Sequence, residues 1–372
     1  MSAKILDAEG VRRALAVRDL TDETSGQHAL QLLIHNAVHA LRDRWSCEVR
    51  VERHNPIVSL SDNYDRLHYP PGGAARNARY TRYVSETSVL RTQTSAMIPA
   101  SLRRIAAEPP DDMLLVCPGL VYRRDSIDRL HTAEPHQLDL WRITRTRSLT
   151  SCDLQRMIEL VVTALLPDRE LRTVPAVHPY TLEGLQIDVR QGDAWIEIGE
   201  CGLALPALLT ENGHPHPANG LAMGLGLDRI LMLRKGLDDI RLLRSTNPRV
   251  TSQMSDLTPY REVSSMPAVQ RDLSLVVASD VDAEQLGDGV RAALGDRCDV
   301  IESIEVRAET DYATLPAAAV RRLGIEPGQK NLLLRVVLRA IDRTLTHAEC
   351  NRLRDEIYAA LHRGPVYEWA AR

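Results

Sequence analysis

Arg123, Arg124, Asp125, Asp128, His131, His136, Gln137 and Asp139 crowd one short window of this 372-residue chain. A planar guanidinium is suited to bidentate contact with a phosphate or carboxylate, and a carboxylate such as Asp139 can accept from an ammonium group. A solvated hairpin would also carry such residues. Here the polar window abuts buried-type apolar runs on both sides, Met113 to Cys117 and Leu138 to Ile143, which favours a site. A second candidate is Asn219–Gly236, NGLAMGLGLDRILMLRKG, where Gly220, Gly224 and Gly226 precede an apolar run carrying Arg229. Glycines ahead of a helix let the backbone approach a ligand closely, although a plain glycine-rich helix entry reads the same way.

The elements that must position these residues follow from periodicity. Met113 to Cys117 reads as a strand ended by the turn pair Pro118-Gly119, followed by Val121 to Arg123, a polar loop, and a strand from Gln137. Gln27 to Trp45 repeats Leu30, Leu33, Ile34, Ala37, Val38 and Leu41 at helical spacing, with Asp22, Thr24 or Ser25 as cap. Ser151 to Leu165 is a second helix with Ser151 as its cap. Strands are predicted at Cys47 to Val51, Thr173 to Val177, Leu185 to Arg190 and Ala194 to Ile198, and a helix at Leu227 to Lys235 closed by Gly236. Residues 1–24 are charged and pattern-poor, which predicts a loose arm, and the polar, proline-bearing stretch 245–265 predicts a linker. Beyond it comes strand (272–277), helix (282–295), strand (299–307), strand (331–341), helix (346–363) and short strand (365–369). That β-α-β-β-α-β order is ferredoxin-like.

Bulk composition is that of a globular protein, with a net charge of −4 that advertises no polyanion partner. No apolar run is long enough to span a bilayer and residues 1–24 are too charged for a secretory signal, so a cytoplasmic location and no membrane are expected. The six scattered cysteines predict neither a zinc site nor a disulfide framework, and His214-Pro215-His216 reads as a solvated turn. Two biases stand out: only Lys4, Lys235 and Lys330 are lysines, and phenylalanine is absent while tyrosine occurs ten times. A GC-rich genome would thin Lys and Phe, but also the Tyr that persists.

The segment VYRRDSIDRLH…HQLD resembles motif 2 of class II aminoacyl-tRNA synthetases, in the version of the phenylalanyl-tRNA synthetase family. Asn63-Tyr64-Asp65-Arg66-Leu67 is similar to that family's N-[FY]-D-x-L, and Val89 to Ser95 to its L-R-T-H-T-S, with Gln93 in place of His. G-L-G-L-D-R resembles class II motif 3, Trp195 to Ile198 the strand whose carboxylate faces nucleotide and metal, and Gly236 to Arg241 a further family segment. Met266 to Leu273 and Asp342 to Thr346 resemble the two ends of the family's ferredoxin-fold anticodon-binding domain. The likeness runs from about Ser25 to the C-terminus and matches the single-chain, organellar form.

The resemblance implies an α+β fold: a class II antiparallel sheet flanked by helices, plus a C-terminal ferredoxin-like domain. Its expected boundaries are an arm at 1–24, a catalytic domain at 25–244, a linker at 245–265 and an anticodon-binding domain at 266–372. It implies ATP-dependent activation of phenylalanine or a bulkier aromatic analogue with ATP and Mg²⁺, and transfer to tRNA, with tRNA-Phe as the expected partner. Alternatives are a paralogue serving a non-tRNA biosynthetic acceptor and a non-catalytic tRNA-binding relative. Arg123 would hold the α-phosphate and carboxylate, Asp125 and His131 the nucleotide, Arg229 the outer phosphates and Glu197 a Mg²⁺ ion. Gln137, Asp139, Gln93 and Ser95 would hold the amino-acid head group. The family's F-P-F segment, whose rings flank the substrate, is Val174-Pro175-Ala176 here, and Pro135 replaces another Phe; Ala222 keeps the small pocket-floor residue. Those losses predict room for a larger ring. A protein without Phe codons can also be made when charged Phe-tRNA is scarce, which would suit a backup copy of such an enzyme.

Overall fold

In the computed structural model, which describes residues 5–77, 80–263 and 266–365, the chain divides into two units. The first comprises residues 5–123, 134–237 and 252–260; the second comprises 124–133, 238–251 and 261–365.

The first unit begins with helix α1 (Ala8–Ala16), capped by the Asp7 carboxylate, which accepts from the Gly10 N–H at 2.7 Å. The expected loose arm is therefore ordered. Leu20 is buried, and its N–H donates to His136 Nε2 at 3.1 Å, a contact across 116 residues that no local pattern announces. Helix α2 (Ala29–Trp45) buries Leu30, Leu33, Ile34, Ala37 and Leu41, as its spacing predicts. Its cap is His28 rather than Asp22, Thr24 or Ser25: His28 Nδ1 accepts from the Leu30 N–H, while Gln31 accepts from the His28 N–H. Asp22 instead caps the short 3-10 turn Glu23–Ser25. Next come β1 (Glu48–Val51), β2 (Ile57–Ser59), α3 (Leu60–Asn63), β3 (Ser88–Leu90), α4 (Ile98–Ile105), β4 (Asp112–Leu120) and β5 (His136–Thr144). They are followed by α5 (Ser151–Leu165), β6 (Leu171–Pro175), β7 (Thr181–Gln191), β8 (Ala194–Ala204), α6 (Pro206–Glu211), β9 (Asn219–Gly226) and α7 (Leu227–Lys235). The cap of α5 is Thr150, not Ser151; the Asp153 carboxylate accepts from both the N–H and the hydroxyl of Thr150.

One sheet of order β1-β4-β5-β9-β8-β7-β6 organises this unit; β1 is parallel to β4 and every other pairing is antiparallel. Side chains alternate between the faces of a strand. Met113, Leu115, Cys117, Trp141, Ile143 and Ala222 thus share a core with Leu102 of α4 and Leu208 of α6. Helices α2, α5 and α7 also pack on the sheet.

Two sequence expectations fail here for one reason. The Pro118-Gly119 pair does not turn the chain, because β4 continues through it in register with β5, Pro118 opposite Leu138 and Gly119 opposite Gln137. The β1 register ends at Val116, so Pro118 lies beyond that neighbour, at a stretch of edge where a missing N–H costs little. Val121 to Arg123, expected as a strand, is irregular. Gly119 (φ +156°) is required by a close approach: a Cβ there would lie 2.4 Å from Nη2 of Arg91. That buried guanidinium donates through Nε to Leu120 O (2.6 Å) and through Nη1 to His54 O (3.0 Å), fixing the chain just before Thr92 and Gln93. The glycine-rich run 219–226 is also a strand, not merely a helix entry, and Gly236 (φ +70°) ends α7 as expected. His214 is buried, its Nε2 2.9 Å from Leu102 O, rather than a solvated turn.

The expected linker is partly packed. The Lys235 ammonium is fully buried and donates to Asp256 O (3.0 Å), Asp256 Oδ1 (3.3 Å) and Thr258 O (2.6 Å). Residues 252–260 therefore satisfy a charge that α7 could not otherwise bury.

The second unit contains α8 (Pro248–Thr251), β10 (Val269–Ala278), α9 (Ala283–Leu294), β11 (Ile301–Asp311), α10 (Ala317–Leu323), β12 (Gln329–Leu338) and α11 (His347–Leu361). Its sheet is antiparallel in the order β10-β12-β11. Leu273, Leu275, Leu334, Val336, Val290 and Ile357 form its core, with Ile127 of the polar loop. The capping box Thr346/Glu349 starts α11 as predicted, α10 was not foreseen, and the expected strand at 365–369 lies outside the described residues apart from residue 365.

A Gly119→Ala variant must push against a guanidinium held by two carbonyls. Overpacking of this kind costs about 1–3 kcal/mol, so its urea midpoint should fall with an unchanged m-value. An unaltered midpoint would show that Arg91 yields freely.

Candidate active site

The site is built around Asp139, a carboxylate only 3% exposed on β5. Its Oδ2 accepts from the Thr94 hydroxyl (2.6 Å), and its Oδ1 from the Ser95 hydroxyl (3.0 Å) and Trp141 Nε1 (3.1 Å). Burial pushes its pKa up, and these three donors offset part of the rise. Thr94 and Ser95 lie in the 3-10 turn Thr94–Met97, entered from the segment that Arg91 anchors. The Thr94 N–H also donates to Gln137 Oε1 at 3.3 Å. Gln93 accepts from the Tyr69 hydroxyl (2.8 Å) and donates to Asn63 O (3.2 Å). The four expected head-group residues, Gln93, Ser95, Gln137 and Asp139, are thus joined to one another through Thr94 or to its neighbours.

Sheet register carries the site further. Asp139 stands opposite Gly224, Gly224 opposite Glu200, Glu200 opposite Gln186 and Gln186 opposite Val174. These five make one row across β5, β9, β8, β7 and β6. In the next row Trp141 stands opposite Ala222 and Ala222 opposite Gly202. Val174 is 38% exposed, whereas Ala222 is buried in the core cluster against which Tyr69 and Tyr180 pack. The rings here are thus Trp141, Tyr69, Tyr180 and His178; each of the other three has its centroid 6.1 Å from that of Tyr180.

Sequence reasoning missed these rings. Trp141 was findable, since it lies two residues from Asp139 on a strand and must share its face. Tyr180 follows Val177-His178-Pro179, where the resembling T-[HE]-P-S segment has Ser. For Tyr69 the sequence holds no signal.

Around β8, which carries Glu200 of the row and Glu197, the site is ionic. Arg123 Nε donates to Thr92 O (2.9 Å) and Arg229 Nη1 to Glu197 O (3.0 Å), which orients both guanidinium groups. Burial and the negative charge of Glu200 raise the Glu197 pKa, while Arg229 and Arg123 oppose the rise. Glu200, whose role the sequence did not suggest, lies 2.8 Å from His178 Nε2, and the hydrogen bond from that ring holds its pKa down. His136 ties β5 to α7: its N–H donates to Asp228 Oδ2 at 2.9 Å, and its Nδ1 lies 2.7 Å from Asp228 Oδ1. No three His, Cys, Asp or Glu side chains among the described residues form a metal cage. Mg²⁺ is typically held by one or two carboxylates together with substrate phosphates, and mutual repulsion between Glu197 and Glu200 is what a cation there would relieve. These residues fit the group.

Asp125 and His131 belong to the second unit. There Asp125 O accepts from Arg291 Nη1 (2.6 Å), and His131 Nδ1 lies 2.7 Å from Asp128 Oδ2.

Asp139→Asn tests the buried charge. The new Nδ2 can donate to Thr94, whose hydroxyl rotates, while the amide oxygen still accepts from Ser95 and Trp141. A carboxyl whose folded pKa is raised penalises the native state fully above that pKa and not at all below the unfolded value. The variant should therefore melt higher near pH 7, by about 2–4 °C for each kcal/mol relieved, and the difference should vanish as pH falls towards the unfolded pKa. A melting difference independent of pH would contradict this.

Comparison with known proteins gives the following. The family model "tRNA synthetases class II core domain (F)" matches residues 21–254. The phenylalanine–tRNA ligase alpha subunit of Nostoc punctiforme is 33% identical over 192 residues, 51% of this chain and 56% of that one. That of Bacillus subtilis is 31% identical over 205 residues, 51% of this chain and 58% of its own. The mitochondrial phenylalanine–tRNA ligase of Saccharomyces cerevisiae is 26% identical over 389 residues, covering 82% of this chain and 80% of its own. This chain spans little more than half the length of the alpha subunits it matches. The family match covers more than half of the chain and contains the whole row from Asp139 to Val174, so the chain belongs to the class II tRNA synthetase core domain (F) family.

Proposed function

We propose that this protein activates an aromatic amino acid with ATP and transfers it to tRNA, with tRNA-Phe as the expected acceptor. One observation carries the reading. Arg123 and Arg229 both act electrostatically on Glu197 of β8, while buried Asp139 stands on β5, two strands away in the sheet. That layout suits a triphosphate beside Glu197 and an ammonium group beside Asp139.

In the first step a carboxylate oxygen of the amino acid attacks the α-phosphorus of ATP and pyrophosphate leaves. In the second a terminal ribose hydroxyl of tRNA attacks the acyl carbon and AMP leaves. Displacement at phosphorus needs mainly positioning and charge neutralisation, so no protein nucleophile is required. Arg123 would hold the α-phosphate and the attacking carboxylate, and Arg229 the outer phosphates. Glu197 would hold Mg²⁺, whose charge neutralises the phosphates when bound. Asp139 and Gln137 would take the ammonium group, with Gln93 and Ser95 beside it.

The second unit is read as a ferredoxin-like anticodon-binding domain. The β10-α9-β11-β12-α11 order and the β10-β12-β11 sheet support this. Residues 25–244, 245–265 and 266–372 would then be catalytic domain, linker and tRNA-binding domain. Arg335 of β12 is paired with Asp272 at 2.8 and 2.9 Å, so any RNA contact through that strand face would have to displace this pair.

Arg229→Ala removes a charge-assisted contact to phosphate worth about 2–4 kcal/mol in the transition state, or roughly 30- to 1,000-fold in kcat/KM. ATP–pyrophosphate exchange at the wild-type rate would refute its role. A panel of amino acids in the same assay, followed by charging of tRNA-Phe, should give exchange with aromatic substrates and acylated tRNA. Exchange without charging would favour a biosynthetic acceptor, and neither would favour a non-catalytic relative.

A further inference from the structure

The loss of two rings at Val174 and Ala176 predicts an enlarged pocket, yet the space beside Ala222 is not left open. Tyr180 packs against the core cluster that holds Trp141 and Ala222. Its ring is stacked on Trp141 at 24°, tilted 48° from Tyr69 and 34° from His178, so three rings box it in. Burial pushes the pKa of its hydroxyl up, and the nearby Ser95 side chain opposes the rise. The Ser95 hydroxyl in turn donates to Asp139 at 3.0 Å.

The backbone under this ring is also held. Tyr180 O accepts from the Leu205 N–H at 3.0 Å, and the Thr181 N–H donates to His178 O at 3.3 Å. The β6–β7 connection is tight enough that a Cβ on Gly184 would lie 2.4 Å from Ala176 O. Withdrawing the ring would break all three ring contacts together.

We infer that Tyr180 sets the upper size limit of the amino-acid side chain: its ring stacks on Trp141 and packs against the cluster that holds Ala222, so the pocket admits a phenyl-sized group and refuses para-substituted or ring-extended ones. This rests on the proposed amino-acid activation, deepens it, and reverses the sequence expectation of a bulkier substrate. Tyr180 is a specificity-determining residue in a place where the resembling segment has a small one.

The test compares phenylalanine, para-chlorophenylalanine and 2-naphthylalanine in wild type, Tyr180→Phe and Tyr180→Ala, by pyrophosphate exchange and by binding calorimetry. Wild type should favour phenylalanine by about tenfold or more, the range that a misfitted apolar group commands. Tyr180→Phe, which keeps the ring, should retain that preference, and Tyr180→Ala should shift the ratio towards the larger substrates by about tenfold. Tyr180→Leu replaces the alanine variant if the latter fails to fold. Wild-type acceptance of the larger substrates, or a ratio unmoved by either truncation, would overturn the inference. Should no protein catalyse exchange with any amino acid, the activation reading fails and the calorimetric ratios decide the role of Tyr180 alone; absence of all binding overturns that too.

Discussion

A carboxylate removed from water and given only neutral hydrogen-bond donors is the constraint on which this site depends. Among the described residues Asp139 is paired with no arginine or lysine; it accepts from two hydroxyls and an indole N–H. Burying such a group is costly unless each lone pair is well placed, so the three donors must be held rigidly. The 3-10 turn that presents Thr94 and Ser95 is reached from a segment pinned by buried Arg91, and Arg91 fits only because Gly119 lacks a side chain. A negative charge buried among neutral donors alone is a standing cost to the fold.

The two carboxylates of β8 follow another electrostatic rule. The His178 ring beside Glu200 holds its pKa down, whereas burial and the charge of Glu200 raise that of Glu197. Arg123 favours the charged form of both, and Arg229 that of Glu197. Gly224 stands between Asp139 and Glu200 in the row and puts no side chain between them.

Much of this was legible from local pattern. Helix α5 spans the predicted residues, α7 ends at Gly236 as expected, and β7 and β8 arise where alternation placed them, because amphipathic period and capping chemistry act over a few residues. What escaped was decided over long range. Leu20 is ordered by His136, Pro118-Gly119 is kept extended by β5, and residues 252–260 are drawn in by a buried lysine. The polar residues linked around Thr94 and Asp139 were recognisable by motif, while the rings around them come from separate loops and strands and meet only in the folded chain. The strand row itself could not be derived, since register across five strands depends on every pairing at once.

The chain contains no phenylalanine, and this shapes the site in a way that composition alone does not reveal. Every aromatic ring it uses carries a polar atom that must be satisfied. Tyr64 is bound to Thr81, Tyr69 to Gln93 and Trp141 to Asp139. A phenyl wall could drift under mutation without disturbing the polar cradle, but these rings are wired into it. The rings and the polar cradle consequently share hydrogen bonds and cannot evolve as independent modules. Substitutions in one should show epistasis with substitutions in the other, with coupling energies of about 0.5–3 kcal/mol, as for residues joined in one network.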